Sequence, residues 1–205
     1  VFVPIAENAG LMPELGRWVV ESAFRQAAEW QSLHGPMTTA VNLSAIQLYQ
    51  PHLADDLLQL LDRLQLKAEN IDLEITESAV MRNVDDAIAA MKRLRDKGFH
   101  ISLDDFGTGY SSLSYLKRFP VSRIKIDQSF VQGMSSSASD VAIVRSVIRL
   151  GHDLGLLVLA EGVESEEQLQ RLGDEGCDLV QGYYCSKPLA AGPLGDYFRQ
   201  GGGRV

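Results

Sequence analysis

Ile71-Asp72-Leu73-Glu74-Ile75 (residues 71–75) is the stretch that decides the fold. Side chains alternate between the two faces of a β-strand, so the apolar residues share one face and the carboxylates share the other. The segment Arg123-Ile124-Lys125-Ile126-Asp127 (residues 123–127) shows the same alternation. Strands of a parallel sheet are covered on both faces and normally read as continuous apolar runs. We therefore expect the apolar faces to pack on helices and the polar faces to point into a barrel.

Short β-rich segments alternate with helical segments along the whole chain. Such alternation with short connections predicts a parallel sheet covered by helices, either a doubly wound open sheet or a barrel. The polar residues at the strand ends, from Asn42 to Gln181, follow one another at intervals of 20 to 36 residues. An eight-unit barrel averages about 31 residues per unit. We therefore predict an α/β fold, a TIM-like (β/α)8 barrel without two of its units, with strands at residues 39–43, 71–75, 100–104, 123–127, 156–160 and 179–183.

The helices between these strands have recognisable ends. Gly98 is the expected C-terminal cap of one helix, residues 135–139 are expected to be a loop that ends in an N-cap, and residues 165–168 have capping-box spacing. The first helix is expected to stop before Gly35-Pro36. Its predicted buried face consists of Leu15, Trp18, Val19, Ala23, Ala27 and Trp30.

The composition indicates one globular domain over residues 1–205, because 45% of the residues are hydrophobic and 22% are charged. The net charge is −8, and no cluster of basic residues is longer than Lys92-Arg93 or Lys117-Arg118. Both facts argue against binding to duplex nucleic acid. The longest apolar stretches fall far short of the roughly 20 residues of a membrane span, so none is expected.

The two cysteines and the first residue carry predictions about the cellular compartment and about whether the chain is a fragment. Cys177 and Cys185 lack a C-x-x-C spacing, which predicts reduced thiols in a cytosolic compartment. The chain begins at Val1 with neither an initiator Met nor a signal-peptide pattern, so we expect a fragment of a longer protein. A cytoplasmic location is expected, with the cytoplasmic portion of a larger membrane-associated protein as an alternative.

Four acidic residues lie at the carboxyl ends of the predicted strands or directly after them, where barrel active sites are built. For a single strand, an inward salt bridge or a polar strand end that reaches solvent would explain such a residue. Recurrence over several strands instead favours an active or ligand-binding site. The four residues are Glu74, Asp104, Asp105 and Glu161.

The charges of this cluster indicate its chemistry. Two carboxylates ~4 Å apart repel by about 4 kcal/mol at an effective dielectric near 20, and Lys125 offsets only part of that. Either some of the acids are protonated or a multivalent cation binds. The cation suits an all-oxygen ligand set that the amide of Asn42 completes. The histidines share no metal-ligand spacing, so Mg²⁺ or Mn²⁺ is expected rather than zinc.

The adjacent residues Asp104 and Asp105 allow one carboxylate to bridge two ions, as in two-metal phosphoester hydrolysis. On its own the pair would equally suit a turn or a helix cap. The loop at residues 106–113 carries two glycines that let backbone N–H groups approach an anion or act as hinges. An ordinary strand-to-helix turn explains this loop equally well.

Several motifs in register resemble the EAL-domain family of bacterial cyclic di-GMP phosphodiesterases. They are DDFGTGYSSLSYLK (residues 104–117), VNLS (41–44), LEITES (73–78), KID (125–127), AEGVE (160–164) and QGYYCSKPL (181–189). The resemblance runs in order across almost the whole chain. It implies an α/β barrel of the EAL type with one antiparallel strand, and metal-dependent hydrolysis of cyclic di-GMP to linear pGpG.

The resemblance also implies a role for each matched residue. Lys125 corresponds to the lysine beside the hydrolytic water, and Glu161 is both a metal ligand and a candidate for assisting proton removal. Gln181 and Glu164 match polar residues of the active site, and Glu77 resembles the glutamate that braces the loop after the aspartate pair. The residues that correspond to metal ligands, for two ions of Mg²⁺ or Mn²⁺, are Asn42, Glu74, Asp104, Asp105 and Glu161.

One departure from the family pattern matters. The Glu-Ala-Leu motif would lie before Val1, and residues 1–11 resemble the segment that follows it, so the first two strands of the family are missing. Either the intact protein has the motif, or the natural protein is a cyclic di-GMP receptor without activity. The filled downstream ligand positions favour the first alternative. We expect reduced or no activity from these 205 residues alone.

The resemblance predicts partners as well. A homodimer is expected, together with an attached sensory or diguanylate-cyclase-like domain outside residues 1–205. A purely structural dimerisation module, with residues 110–117 at its interface, is a weaker alternative to an enzyme or a receptor.

Overall fold

The computed structural model describes residues 5–6, 9–108 and 113–199, and these form an α/β fold with a six-stranded sheet. The strands are hydrogen-bonded in their order along the chain, and each pairing in the described residues for which a register is defined is parallel. All six predicted strands are present, which confirms the α/β class. The strands are β1 (Thr39–Asn42), β2 (Ile71–Thr76), β3 (His100–Phe106), β4 (Arg123–Ile126), β5 (Leu157–Ala160) and β6 (Leu179–Val180).

Strand β6 is shorter than predicted. Pairing with β5 involves only Leu179 and Val180, and residues 183–185 form a turn. Gly182 allows the strand to end early, because the chain at this residue lies against the backbone of Val163 and leaves no room for a side chain. The prediction of a strand to residue 183 was therefore wrong at its carboxyl end.

The helices lie between the strands and carry the predicted caps. Ser137 Oγ accepts the N–H of Asp140, and Ser165 and Gln168 form the reciprocal capping box. Gly98 has a φ of 95°, the left-handed conformation of a C-terminal cap. The helices are α1 (Met12–His34), α2 (Ala45–Leu48), α3 (Leu53–Leu64), α4 (Glu77–Met81), α5 (Val84–Asp96), α6 (Leu113–Leu116), α7 (Gln128–Gly133), α8 (Ala138–Asp153), α9 (Glu166–Asp174) and α10 (Ala191–Arg199).

The predicted buried face of α1 was wrong except at Ala27, which is buried. Trp18 is 66% exposed and Val19 is 37% exposed, whereas Phe24 is fully buried. Helix α1 has two apolar stripes, and the buried stripe is the one in which the small residue Gly16 accommodates the side chain of Gln47 from α2. This stripe consists of Met12, Gly16, Val20, Phe24 and Ala27.

The described chain divides into two compact units. The first comprises Val1–Ile101 and Arg118–Pro120, and the second comprises Ser102–Lys117 and Val121–Val205. In the first unit, β1 and β2 pair in register, with Asn42 opposite Glu74. In the second unit, β4 pairs with β5 from Arg123↔Leu157 to Ile126↔Ala160, and α8 packs against both strands.

Both faces of strands β2, β3 and β4 are largely buried, as expected for inner strands of a parallel sheet, whereas β1 and β6 at the ends of the sheet are partly exposed. In β2 the polar residues Asp72 and Glu74 are buried like their apolar neighbours, and in the second unit Ser102, Asp104 and Lys125 are buried too. The polar faces are therefore covered by protein, as the alternation in residues 71–75 and 123–127 predicts. None of the described helices combines the length and apolar character that a membrane span requires.

Candidate metal centre

Three carboxylates of the second unit lie together. Asp104 and Asp105 come from β3, Glu161 follows β5, and their ligand oxygens all lie within 4.8 Å of one another. Oxygen ligands of one Mg²⁺ ion at 2.0–2.1 Å lie roughly 3–4 Å apart. The spacing and the all-oxygen chemistry of this cluster therefore fit a divalent cation such as Mg²⁺ or Mn²⁺.

A break in the regular geometry of β3 brings the two aspartates together. In a regular strand, neighbouring side chains point to opposite faces. The pairing of β3 with β4 shifts register between Leu103 and Phe106, and Asp105 has a φ of 55°. The side chain of Asp104 also accepts the N–H of Asp105 at 3.0 Å. Aspartate is one of the few residues other than glycine that adopts this left-handed conformation readily, so the bulge and the carboxylate come from the same residue.

Lys125 of β4 is the cation inside this cluster. Its Nζ donates to Asp104 Oδ1 at 3.1 Å and to Glu161 Oε1 at 2.7 Å, and only 2% of its side chain is exposed. Three carboxylates and one ammonium leave a formal net charge of −2 when all four groups are ionised. Lys125 thus holds two of the carboxylates in place and leaves the cluster anionic.

Glu161 also lines a cleft with two of the predicted active-site residues. The cleft has a volume of about 220 Å³, and its lining includes Glu161, Glu164 and Gln181. Backbone hydrogen bonds position them, because Glu161 donates its N–H to Ile126 and Gln181 donates its N–H to Ala160. The N–H of Glu164 is held by Oε1 of Gln168 at 2.7 Å. The structure therefore brings together Glu161, Glu164 and Gln181.

Asn42 and Glu74 belong to the first unit. They face each other in register at the carboxyl end of the β1–β2 pair, and the N–H of Leu43 donates to the carbonyl of Glu74 at 2.8 Å. Glu74 is buried and Asn42 is exposed. Their role as metal ligands stays a prediction.

Glu77 is the first residue of α4 and is buried. Thr76 caps this helix by accepting the N–H of Ala79 at 3.3 Å. The loop that Glu77 is predicted to brace includes residues 109–112, which lie outside the described residues, as does Tyr110 of the predicted dimer contact. Both expectations stay predictions.

Sequence reasoning missed four residues of the cleft, Gln128, Gly162, Gly182 and Tyr183, of which Gln128 and Tyr183 carry side chains. Gln128 follows Asp127, whose side chain caps α7 by accepting the N–H of Ser129 at 2.9 Å. Its position directly after β4 was the available signal, because ligands of parallel sheets bind at the carboxyl ends of strands. Tyr183 was assigned to a strand, and this assignment hid its place in a turn.

Fold and site together define an α/β protein with an acidic, oxygen-rich centre of the type that holds divalent cations at the carboxyl ends of parallel strands. A family model described as the EAL domain matches residues 1–188. The chain therefore belongs to the EAL-domain family, and EAL domains depend on divalent metal ions.

Several relatives have been named for their activity. The chain is 42% identical over 194 residues to the bifunctional diguanylate cyclase/cyclic di-GMP phosphodiesterase MucR of Pseudomonas aeruginosa, covering 94% of this chain and 28% of that protein. It is 39% identical over 199 residues to the cyclic di-GMP phosphodiesterase NbdA of the same species, covering 97% of this chain and 25% of NbdA.

A solved structure supports the predicted EAL-type fold. The PaMucR phosphodiesterase in complex with c-di-GMP superposes with a TM-score of 0.90 at 42% identity, covering 94% of this chain and 78% of that chain. The chain spans only about a quarter of the full length of MucR and NbdA, which are larger proteins.

Proposed function

We propose that the chain is a metal-dependent phosphodiesterase that hydrolyses cyclic di-GMP to linear pGpG in bacterial second-messenger signalling. Family membership and the names of MucR and NbdA support the reaction. The acid cluster supports the metal dependence, and residues 1–205 are proposed to form a single EAL-type domain.

The observation that carries this proposal is the net charge of the cluster. Asp104, Asp105 and Glu161 outweigh Lys125, whereas each phosphodiester of the substrate is itself an anion. An anionic substrate is repelled by an anionic site unless cations stand between them. A centre of this composition beside a cleft is therefore expected to act on a phosphodiester only with divalent ions.

The proposed ligands are the five residues that match the family pattern. Asp104, Asp105 and Glu161 contribute oxygens from one cluster, and Asn42 and Glu74 are proposed from their positions at strand ends. Two ions are proposed, which the adjacent carboxylates of Asp104 and Asp105 would help to hold. When bound, Mg²⁺ or Mn²⁺ supplies a Lewis acid for the phosphodiester and lowers the pKa of the attacking water.

The residues of the chain have the following roles in the proposed reaction. Glu161 takes a proton from the attacking water, whose oxygen bonds to phosphorus as the bond from phosphorus to the 3′-oxygen breaks. The proton taken up by Glu161 is returned through solvent water to the leaving oxygen, which becomes the 3′-hydroxyl, and the product keeps a 5′-phosphate. Lys125 orients the carboxylate of Glu161 and places a positive charge beside the water. Gln181 and Glu164 hold the substrate in the cleft that they line with Glu161.

Further properties are proposed from the resemblance. We propose a homodimer, an attached sensory or diguanylate-cyclase-like domain outside residues 1–205 and a cytoplasmic location. The named relatives are much longer than this chain, which agrees with attached domains.

Product analysis tests the proposal. The full-length protein that contains residues 1–205 is incubated with cyclic di-GMP and Mg²⁺ or Mn²⁺, and the products are separated by chromatography. We expect pGpG, no turnover in EDTA, and loss of turnover in Asp104→Asn and Glu161→Gln. Asp174→Asn, an exposed carboxylate at the end of α9, is the control and should turn over normally. Tight binding without pGpG would instead establish the receptor alternative.

A further inference from the structure

Tyr183 stands at the rim of the cleft that contains Glu161, Glu164 and Gln181. The side chain of this tyrosine is 58% exposed, although it lies in a well-packed turn. An exposed aromatic ring beside a polar cleft offers a flat surface to a ligand that extends out of the cleft.

The backbone under Tyr183 is held firmly. Val163 donates its N–H to Gln181 at 3.1 Å, and Tyr184 donates its N–H to Val163 at 2.9 Å. The N–H of Cys185 closes the turn onto Gly182 at 3.1 Å. No side chain fits at position 182, because a Cβ there would overlap the backbone of Val163. The ring is therefore carried by a preorganised turn, and little entropy is lost when a ligand contacts it.

The volume of the cleft limits how much of a ligand it can enclose. Pockets that enclose a drug-sized ligand have volumes of about 300–1,000 Å³. This cleft has a volume of about 220 Å³, so it accommodates a phosphodiester and its immediate neighbours but not a cyclic dinucleotide. The bases of such a substrate extend over the rim, where Tyr183 lies.

The surroundings of the ring suit a nucleobase attached to a phosphate. The Nζ of Lys187 lies over the ring of Tyr183, 6.0 Å from its centroid. A lysine in this position restricts the ring by a cation–π contact and adds positive charge beside an otherwise acidic cleft. Stacking of a base on an aromatic side chain contributes about 1–3 kcal/mol.

We propose that Tyr183 is the stacking platform for one guanine base of the substrate, with Lys187 as the residue that positions its ring. The proposal rests on the proposed function and adds a residue that determines affinity for the nucleotide. Tyr183 contacts a base and not the reacting phosphodiester, so it contributes to binding in the ground state and the transition state alike.

A steady-state comparison in the full-length protein tests the proposal. Tyr183→Leu should raise KM for cyclic di-GMP about 5- to 150-fold, the range that corresponds to 1–3 kcal/mol, and leave kcat unchanged. Tyr183→Phe should keep KM within about twofold, because a phenyl ring still stacks. Tyr184→Leu is the matched control, an exposed neighbour outside the residues that line the cleft, and should not change KM.

The possible outcomes distinguish a failure of the stacking role of Tyr183 from a failure of the proposed phosphodiesterase function. An unchanged KM in Tyr183→Leu, with a normal circular dichroism spectrum, would overturn the stacking role while the phosphodiesterase assignment stands. A fall in kcat at constant KM would overturn it too. If the unsubstituted protein neither hydrolyses nor binds cyclic di-GMP, the proposed function fails first. A rise in KM confined to Tyr183→Leu supports the inference.

Discussion

Nζ of Lys125 lies 2.7 Å from Oε1 of Glu161 and 3.1 Å from Oδ1 of Asp104, so one buried ammonium holds a carboxylate of β3 and a carboxylate of the residue that follows β5. The removal of one partner of a buried ion pair leaves uncompensated charge in a medium of low dielectric. We therefore expect Lys125 to stabilise the metal-free protein, in addition to its proposed role in catalysis.

Lys125→Met tests this double role. We expect turnover to fall at least 100-fold, and the free energy of unfolding in EDTA to fall by about 3 kcal/mol. Because a bound cation replaces the missing positive charge, MnCl₂ should raise Tm more in the variant than in the unsubstituted chain. Thermal unfolding with and without MnCl₂ measures this. Lys92→Met removes an exposed lysine of α5 and serves as the control; an equal response of Tm in both variants would contradict the role of Lys125.

Asp105 is a proposed metal ligand with a left-handed backbone, and substitutions separate these two properties. In EDTA, Asp105→Asn should require at least as much urea to unfold as the unsubstituted chain. Asparagine tolerates the φ of 55°, and the repulsion between the carboxylates of the cluster falls. Asp105→Val should be about 1–2 kcal/mol less stable, because a branched side chain is strained there. Both should lose affinity for Mn²⁺. Urea unfolding and calorimetric titration measure the two effects, and equal stability of both variants would remove the argument from backbone strain.

Gly182 and Gly173 form a matched pair of glycines in the second unit. Gly182→Ala should destabilise the chain and lower turnover, because its Cβ would overlap the backbone of Val163 and displace the turn after Gln181. Gly173→Ala lies in α9 with no neighbouring atom within 4 Å of its Cβ. It should stabilise the helix by about 0.5–1 kcal/mol. Urea unfolding of both variants is the measurement; stabilisation by Gly182→Ala would contradict the close approach.

The thiol of Cys177 provides a prediction on pH. Burial raises its pKa from 9.0 to about 11. Its Sγ donates to the backbone carbonyl oxygens of Val158 and Leu179. At pH 8 only about one thiol in a thousand is the reactive thiolate at such a pKa. In Cys185→Ser, alkylation of Cys177 by iodoacetamide should therefore be slow at pH 8 and accelerate up to about pH 11. In 8 M urea the reaction at pH 8 should be fast, and a fast reaction in the native state would contradict the burial effect.

The raised pKa of Cys177 also makes the free energy of unfolding depend on pH. The unfolded chain loses the proton of Cys177 near pH 9, whereas the folded chain keeps it to about pH 11. The folded state therefore binds more protons between these values, and the free energy of unfolding falls as the pH rises through this range. Cys177→Ser should remove this part of the pH dependence in urea unfolding followed at pH 8 to 11.

Much of the fold follows from local sequence patterns. The alternation in residues 71–75 identifies β2 with both faces buried, and the capping box at Ser165 and Gln168 fixes the start of α9. These features depend on residues near one another in the chain, which the sequence displays directly. The polar strand ends likewise predicted the cluster of Asp104, Asp105 and Glu161.

Other features depend on packing that the local sequence does not display. Helix α1 has two apolar stripes, and only contact with Gln47 at Gly16 selects the stripe with Phe24 for burial. The bulge at Asp105 arises where β3 shifts its register against β4, and the early end of β6 arises where Gly182 meets Val163. Each of these is a contact between segments that are distant in the sequence.

The location of Mn²⁺ in crystals grown with MnCl₂ tests the central claim most directly. We expect an anomalous peak for Mn²⁺ within coordination distance of carboxylate oxygens of Asp104, Asp105 and Glu161, the residues whose oxygens lie within 4.8 Å of one another. The peak should disappear in Asp105→Asn. An empty cluster, in crystals of a protein that hydrolyses cyclic di-GMP in the same buffer, would contradict the account.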